Sequence, residues 1–173
     1  IHSQSDRRKE RFVVANCARL STERVDAELF GAESLQSHRR VVGLFEQAHR
    51  GTLYFDEICD LPLETQGKIV RAVNEQRFRR VGGNSEVVVD VRVISASSRD
   101  LSSEISAGRL REDLYYRLGV VPLSMPSLAH RREDIPVLAK YFTNRIAKNL
   151  GVNPIRISDE IFAAMKGYDW PGN

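Results

Sequence analysis

The sequence predicts an α/β fold: a parallel sheet flanked by helices over residues 1–127, then the start of a small helical subdomain over 128–173. Three observations predict it. Short apolar runs rich in β-branched and aromatic residues alternate with helix-period segments through Leu123, the pattern of strands joined by crossover helices. From Arg131 only helical periodicity remains, with Ile135, Leu138, Ala139, Phe142, Ile146 and Leu150 recurring at threes and fours. The length of 173 residues, 42% hydrophobic, suffices for one real core and a small appendage.

The elements follow in order. Ile1 to Arg11 reads as a helix tail and a polar loop, and Phe12–Asn16 as a short buried strand. Ser21 or Thr22 caps a helix that runs to Phe30 and stops at Gly31. Residues 32–42 carry no clean period, and Gly43 to His49 suggests a short helix. Thr52–Phe55 is a second buried strand, ending in Asp56-Glu57. Pro62 opens a helix with Leu63, Ile69, Val70 and Val73 as its apolar stripe. Phe78–Val81 and Glu86–Val91 form a hairpin around Gly82-Gly83, and the second arm continues as one β-branched run to Ile94. Two short helices cover Leu101–Ala107 and Leu110–Leu118, and Val120–Leu123 is a last strand. Ser158 caps a final helix through Met165.

The totals exclude several classes. A net charge of +3, from 26 basic and 23 acidic side chains, is too mild to mark a nucleic-acid binder. The clusters Arg7, Arg8, Lys9, Arg11 and Arg77, Arg79, Arg80 read as solvated faces. Cys17 and Cys59 lack metal-ligand spacing and sit beside apolar runs, as buried free thiols of a reducing cytoplasm do. No apolar stretch approaches a membrane span and no basic-then-apolar leader opens the chain, which points to a cytoplasmic location.

The chemistry concentrates in Gly51-Thr52-Leu53-Tyr54-Phe55-Asp56-Glu57-Ile58. An apolar strand delivers two adjacent carboxylates to the carboxyl edge of a parallel sheet, where such sheets bind ligands. One carboxylate can hold Mg²⁺ through its water shell, and its neighbour can polarise a water for in-line attack on a γ-phosphate. Taken alone, an Asp-Glu pair after a strand is equally read as capping the next helix.

The segment resembles the Walker B strand of the AAA+ ATPases that act on sigma-54 RNA polymerase, the NtrC-like regulators. The resemblance extends through Phe12–Ala18, Glu28-Leu29-Phe30-Gly31, Phe45-Glu46-Gln47-Ala48, Arg80-Val81-Gly82-Gly83, Arg111-Glu112-Asp113-Leu114, Arg132–Pro136 and Trp170–Asn173, all in the family's order. It implies ATP and Mg²⁺ as cofactors, with Asp56 as the magnesium carboxylate and Glu57 as the water-activating one. It makes Asn16 the amide that holds the glutamate in a switchable state, and Ser97 and Ser98 the nucleotide-sensing pair. Arg111 and Arg117 match the arginines that reach a neighbouring subunit's site. At about 100° per helical residue they fall on roughly opposite sides, so one serves the interface while the other bonds within its own subunit.

Three departures accompany the resemblance. No G-x-x-x-x-G-K-[ST] loop is present, Gly67-Lys68 falling inside a helix pattern, and the resemblance places the family's loop just before Ile1. Without that cradle most phosphate affinity is missing. Between Gly31 and Gly43 the family's Gly-Ala-Phe-Thr-Gly-Ala loop is replaced by a shorter connection with no aromatic tip, as in the NtrX branch, which argues against sigma-54 as a partner. Ser97-Ser98 stands where the activators carry Thr-Asn. The resemblance further implies self-association into a ring or dimer, DNA contact through a helix-turn-helix outside this chain, and a sensor kinase acting through a receiver domain also outside it. Two readings stay open: a magnesium-dependent ATPase core of a bacterial two-component transcription regulator, and a non-catalytic interaction module that keeps the AAA+ shape.

Overall fold

A parallel ladder on both edges of one central strand organises the first part of the chain in the computed structural model, which describes residues 1–34 and 39–173, Arg39 by its backbone alone. The elements are β1 (Phe12–Asn16), α1 (Val25–Phe30), β2 (Ala32–Ser34), β3 (Arg39–Val41), α2 (Leu44–Gln47) and β4 (Thr52–Asp56). They continue with α3 (Leu63–Glu75), β5 (Arg77–Arg79), β6 (Glu86–Val88), β7 (Arg92–Ser95), α4 (Leu101–Ser106), α5 (Glu112–Leu118), α6 (Ile135–Leu150) and α7 (Asp159–Gly167). The chain divides into two units, Ile1–Val121 and Pro122–Asn173.

In the first unit β4 lies between β1 and β7, parallel to both, while β2–β3 and β5–β6 are antiparallel ribbons. Alternation along the sheet strands sorts the side chains. Ala15, Leu53 and Phe55, each no more than 1% exposed, face the core. Phe12 and Val14, about half exposed, share the opposite face with Tyr54 and Asp56. Against the core face, Phe45 packs within 5.3–5.9 Å, ring centre to ring centre, of Phe30, Phe55 and Phe78. Four such rings bury enough area to dominate the packing of a unit this size.

Several sequence expectations shift. The helix before Gly31 begins at Val25 with Arg24 at its cap position and no side-chain cap, so neither Ser21 nor Thr22 opens it. Within residues 32–42, which carry no clean period in the sequence, Ala32–Ser34 and Arg39–Val41 pair as the β2–β3 ribbon; residues 35–38 lie outside the described residues. The second hairpin arm does not run on to Ile94. It breaks between β6 and β7 because Gln76, at the left-handed end of α3, accepts Val89 N–H on its carbonyl and Val91 N–H on its side chain. Leu63 is exposed, and the buried side of α3 holds Thr65 and Gln66 with Ile69, Ala72 and Val73. Val120–Leu123 forms no strand: Val120, Val121 and Leu123 are 67–76% exposed, and no backbone ladder reaches them among the described residues. Apolar β-branched residues do not hold a strand without a neighbour to pair with.

Arg80 corrects the expectation of a solvated cluster. While Arg77 and Arg79 pair with Glu86 in the open, Arg80 is 7% exposed and forks onto Glu46 at 2.8 and 2.7 Å. Glu46 also accepts from Arg40 of β3, and Arg80 reaches Glu33 of β2. One buried carboxylate thus fastens both antiparallel ribbons to α2.

In the second unit α7 starts as expected, Ser158 Oγ accepting the N–H of Ile161. On α6, however, only Ile135 of the expected stripe is buried, and Phe142, Ile146 and Leu150 are 50–69% exposed. No helix among the described residues is long and apolar enough to cross a membrane.

Two glycines should respond oppositely to a methyl group. A Cβ on Gly43 would lie 2.2 Å from Gly31 N, where backbone meets backbone, whereas one on Gly67 meets only the guanidinium of Arg111, at an ordinary contact distance of 3.5 Å. Urea unfolding should show Gly43→Ala destabilised by about 1–3 kcal/mol and Gly67→Ala unchanged or stabilised by about 0.5–1 kcal/mol, as for a mid-helix glycine with room for a methyl group.

Candidate nucleotide site

The register of the three parallel strands brings the chemistry to one edge. Asn16 lies opposite Asp56, and Phe55 opposite Ser95, so Asp56-Glu57 and Ser97-Ser98 leave the sheet side by side. The ladder runs one step further through Ala96 N–H to Phe55 O and Ile58 N–H to Ala96 O. Glu57 itself takes a left-handed conformation, φ 55° and ψ 57°, which turns the chain sharply out of the strand. A non-glycine residue held there costs on the order of 1–3 kcal/mol, a strain that the surrounding bonds must maintain.

Those bonds come from the segment after β7. Ser98 N–H points between the two Glu57 oxygens, 3.1 Å from each, and Ser97 Oγ lies 3.5 Å from Oε2. Hydrogen bonding from Ser98, helped by the charge of Arg99 and the Ser97 hydroxyl, keeps the Glu57 carboxyl below its ordinary value although burial opposes it. Glu57 is therefore an anion poised as a hydrogen-bond acceptor. Asn16 shares no hydrogen bond with Glu57 among the described residues; Ser97 and Ser98 hold the glutamate. Asp56 accepts the Tyr54 hydroxyl at 3.2 Å, since residues two apart in a strand share a face. Burial, then the charge of Asp56, pushes that hydroxyl's pKa up.

Behind this edge lies a second set of charges. Arg99 bridges Asp60 and Glu104, and Glu104, its side chain 7% exposed, accepts a two-pronged contact from Arg109 at 2.8 and 2.7 Å. The Arg109 bonds are the main reason that the Glu104 carboxyl is lowered from 4.5 to about 2.

The two arginines expected to reach a neighbour are not both on a helix. Arg111 is the extended residue preceding α5, so helical spacing does not apply to it. Its guanidinium forks onto Asp113 at 2.9 and 2.7 Å and is 43% exposed. Arg117, in the last turn of α5, donates to Val73 O of α3 at 3.2 Å. The structure groups Asn16, Asp56, Glu57, Ser97 and Ser98 at the sheet edge, with Arg111 and Arg117 on the α3–α5 side.

Asp56 and Glu57 suit a magnesium ion that keeps most of its waters and takes one or two protein oxygens. Among the described residues no cluster of three or more metal-ligating side chains exists. Nor is there a cradle for phosphates: Gly67-Lys68 sits mid-helix in α3, with Lys68 paired to Asp26 at 2.6 Å and Glu64 at 2.7 Å.

Known proteins share this chain's sequence and fold. The sigma-54 interaction domain family matches residues 1–124, and the AAA+ ATPase lid domain matches 129–173. The chain belongs to the sigma-54 interaction family of AAA+ domains. Among this family, the nitrogen assimilation regulatory protein NtrX of Azorhizobium caulinodans is 47% identical over the whole chain, which spans 38% of that protein. A solved structure of NtrX from Brucella abortus superposes with a TM-score of 0.91 at 46% identity, covering 99% of this chain and 39% of that one. Structures of the same Brucella protein in complex with ADP and with ATP superpose at 0.89.

The sequence reading missed three residues at or near this AAA+ site. Tyr54 was readable from strand alternation, two residues before Asp56. Gln66 stands at helical spacing from Ile69, Val70 and Val73, so its place on the buried side of α3 was also readable. Glu104 carried no periodic signal, because its partners Arg99 and Arg109 lie five residues to either side, in the loops that flank α4, rather than at helical spacing.

Two measurements follow from these charges. A carboxyl whose folded pKa is depressed stabilises above its unfolded value and loses that contribution as pH falls through the folded one. Wild type should exceed Glu104→Gln in unfolding midpoint near neutral pH, with the gap closing between pH 4.5 and about 2. Burial, with Asp60 and Asp56 adding to it, pushes the Cys17 thiol to about 12, so mass spectrometry should find it unalkylated by iodoacetamide at mildly alkaline pH until the chain is unfolded.

Proposed function

We propose that this chain is the central ATPase region of a longer bacterial transcription regulator of the NtrX/NtrC type, an α/β part over 1–127 followed by the start of a lid over 128–173. The observation that carries the reading is the convergence of Asn16, Asp56-Glu57 and Ser97-Ser98 at one parallel sheet edge, with Glu57 charged and held by Ser98 N–H. The relatives' printed names support the biological context, and the ADP and ATP complexes of Brucella NtrX support ATP as the ligand.

In this reading Asp56, steadied by Tyr54, holds Mg²⁺, which when bound neutralises phosphate charge. Glu57 accepts the proton of the attacking water once the nucleotide draws it away from Ser98; Ser97 and Ser98 report the state of the γ-phosphate, and Asn16 takes Glu57 over in one of its positions. Arg111 extends to the site of a neighbouring subunit in a ring or dimer, and Arg117 fixes α5 to α3 for that purpose. The phosphate cradle comes from residues outside this chain, as do a DNA-reading domain and a receiver domain addressed by a sensor kinase. The location is the bacterial cytoplasm.

Sigma-54 is not assigned as a partner: the strands Ala32–Ser34 and Arg39–Val41 are short, and they are tied to Glu46 and Arg80 through Arg40 and Glu33. That tie favours a second reading, in which the AAA+ shape serves as an assembly module of a DNA-binding regulator that does not contact sigma-54.

The full-length protein should hydrolyse Mg-ATP, and Glu57→Gln should lower the rate by about 10²–10⁴ with nucleotide still bound. Calorimetry on this chain alone should show no Mg-ATP binding up to about 1 mM, a binding free energy of roughly −4 kcal/mol. Hydrolysis unchanged by Glu57→Gln would overturn the catalytic assignment, and micromolar binding by the chain alone would overturn the external cradle.

A further inference from the structure

We propose that Gln66 is a positioning residue for Arg111, setting the backbone from which that arginine reaches the neighbouring subunit. The inference rests on the trans reading of Arg111 given above and adds the group that makes such a reach reproducible.

Gln66 is 0% exposed, deep in the buried side of α3, and its amide is fully engaged. Nε2 donates to Leu61 O at 2.8 Å and to Arg109 O at 2.9 Å, using both of its hydrogens. Oε1 accepts Arg111 N–H at 2.9 Å. The last two contacts bracket Leu110, which is itself 4% exposed. One planar amide therefore clamps the segment Arg109–Arg111 from an element more than forty residues away.

The clamp acts where position matters most. Arg111 is the extended N-cap residue of α5: its carbonyl accepts the first helical bond, from Tyr115 N–H, but helix formation does not fix its own N–H. Past the clamp, the guanidinium lies across Gly67, the next residue of α3, where a Cβ would be 3.5 Å from Cζ. Asp113 then orients the fork. A long arginine gains in catalysis only when its base is fixed, since a displacement of about 1 Å at a charge-stabilising group costs on the order of 100-fold in rate. Losing the amide would take a partner from three backbone groups, the buried Leu61 O and the part-buried Arg109 O and Arg111 N–H, and free the base of the arm to shift.

Arms that act in trans can be separated from sites that act in cis by mixing subunits of the full-length protein. Arg111→Ala has a site but no arm, and Glu57→Gln has an arm but no working site. Mixed, they should regain hydrolysis at least about tenfold above either alone, because such an arm is worth about 10³–10⁵ in rate. Replacing the arm donor by Glu57→Gln/Gln66→Met should abolish that regain. Gln66→Met mixed with Glu57→Gln should regain activity, its own site being served by an intact arm. A residue with a merely structural role would weaken both mixtures alike. Should the Met variant not fold, Gln66→Glu, which as a neutral carboxyl keeps an acceptor and one donor, should give an intermediate regain as arm donor. Failure of the first mixture overturns the trans reading of Arg111 and this proposal with it. Success of the first mixture with equal regain from the double variant overturns the role of Gln66 alone.

Discussion

Register in a parallel sheet is a constraint with no local substitute. Because β4 pairs with β1 and β7 in one fixed alignment, Asn16, Asp56 and the Ser97-Ser98 segment end at the same edge although up to 82 residues separate them in the chain. A one-residue slip of β4 would turn Asp56 to the core face and Phe55 to the open one. The cost of exposing Phe55 and Leu53, both fully buried, and of burying an aspartate beside Phe45 forbids the slip. The aromatic cluster therefore fixes where Asp56 and Glu57 leave the sheet.

The same edge shows how strain and charge offset each other. Glu57 occupies a left-handed conformation that its side chain does not favour, and an amide and a hydroxyl from the adjacent loop stabilise the carboxylate it presents. Arg99, the next residue of that loop, is anchored by Asp60 and Glu104, and Glu104 by Arg109. The loop is thus fixed at its far end, so the Ser98 N–H that meets Glu57 is preorganised rather than recruited. A ligand that competes for the Glu57 oxygens needs only to break bonds to Ser98 and Ser97.

How much of this the sequence shows depends on where the partners lie. The strands β1 and β4 and the Asp56-Glu57 pair are legible because apolar runs of five residues and a terminal acidic pair are local signals. The break between β6 and β7 is not, because a long-range contact from Gln76 imposes it on eight residues that otherwise favour one strand. Val120–Leu123 fails for the converse reason, having strand propensity but no neighbour to pair with. Arg80 was misread since a run of arginines gives no hint that one of them meets a buried Glu46. The burial of that carboxylate would raise its pKa, yet the bonds from Arg80 and Arg40 keep it low and charged.

That pair also bears on what this branch of the family does with its β2–β3 ribbon. Gly31 and Gly43 approach so closely that neither tolerates a Cβ, which closes the base of the ribbon. Above the base, Arg80 of one ribbon meets Glu33 of the other, and Glu46 takes Arg80 and Arg40 together. Removing Arg80 or Glu46 leaves the other's charge without its main partner in a largely desolvated place. A ribbon held this way at its base, along one strand and to α2 is built to stay against its own domain. A loop that has to lift and engage another protein needs weak contacts at its root, and this one has strong ones. The short connection and the Glu46 carboxylate therefore point the same way as the proposal above, in which this ribbon is not the element that engages a partner.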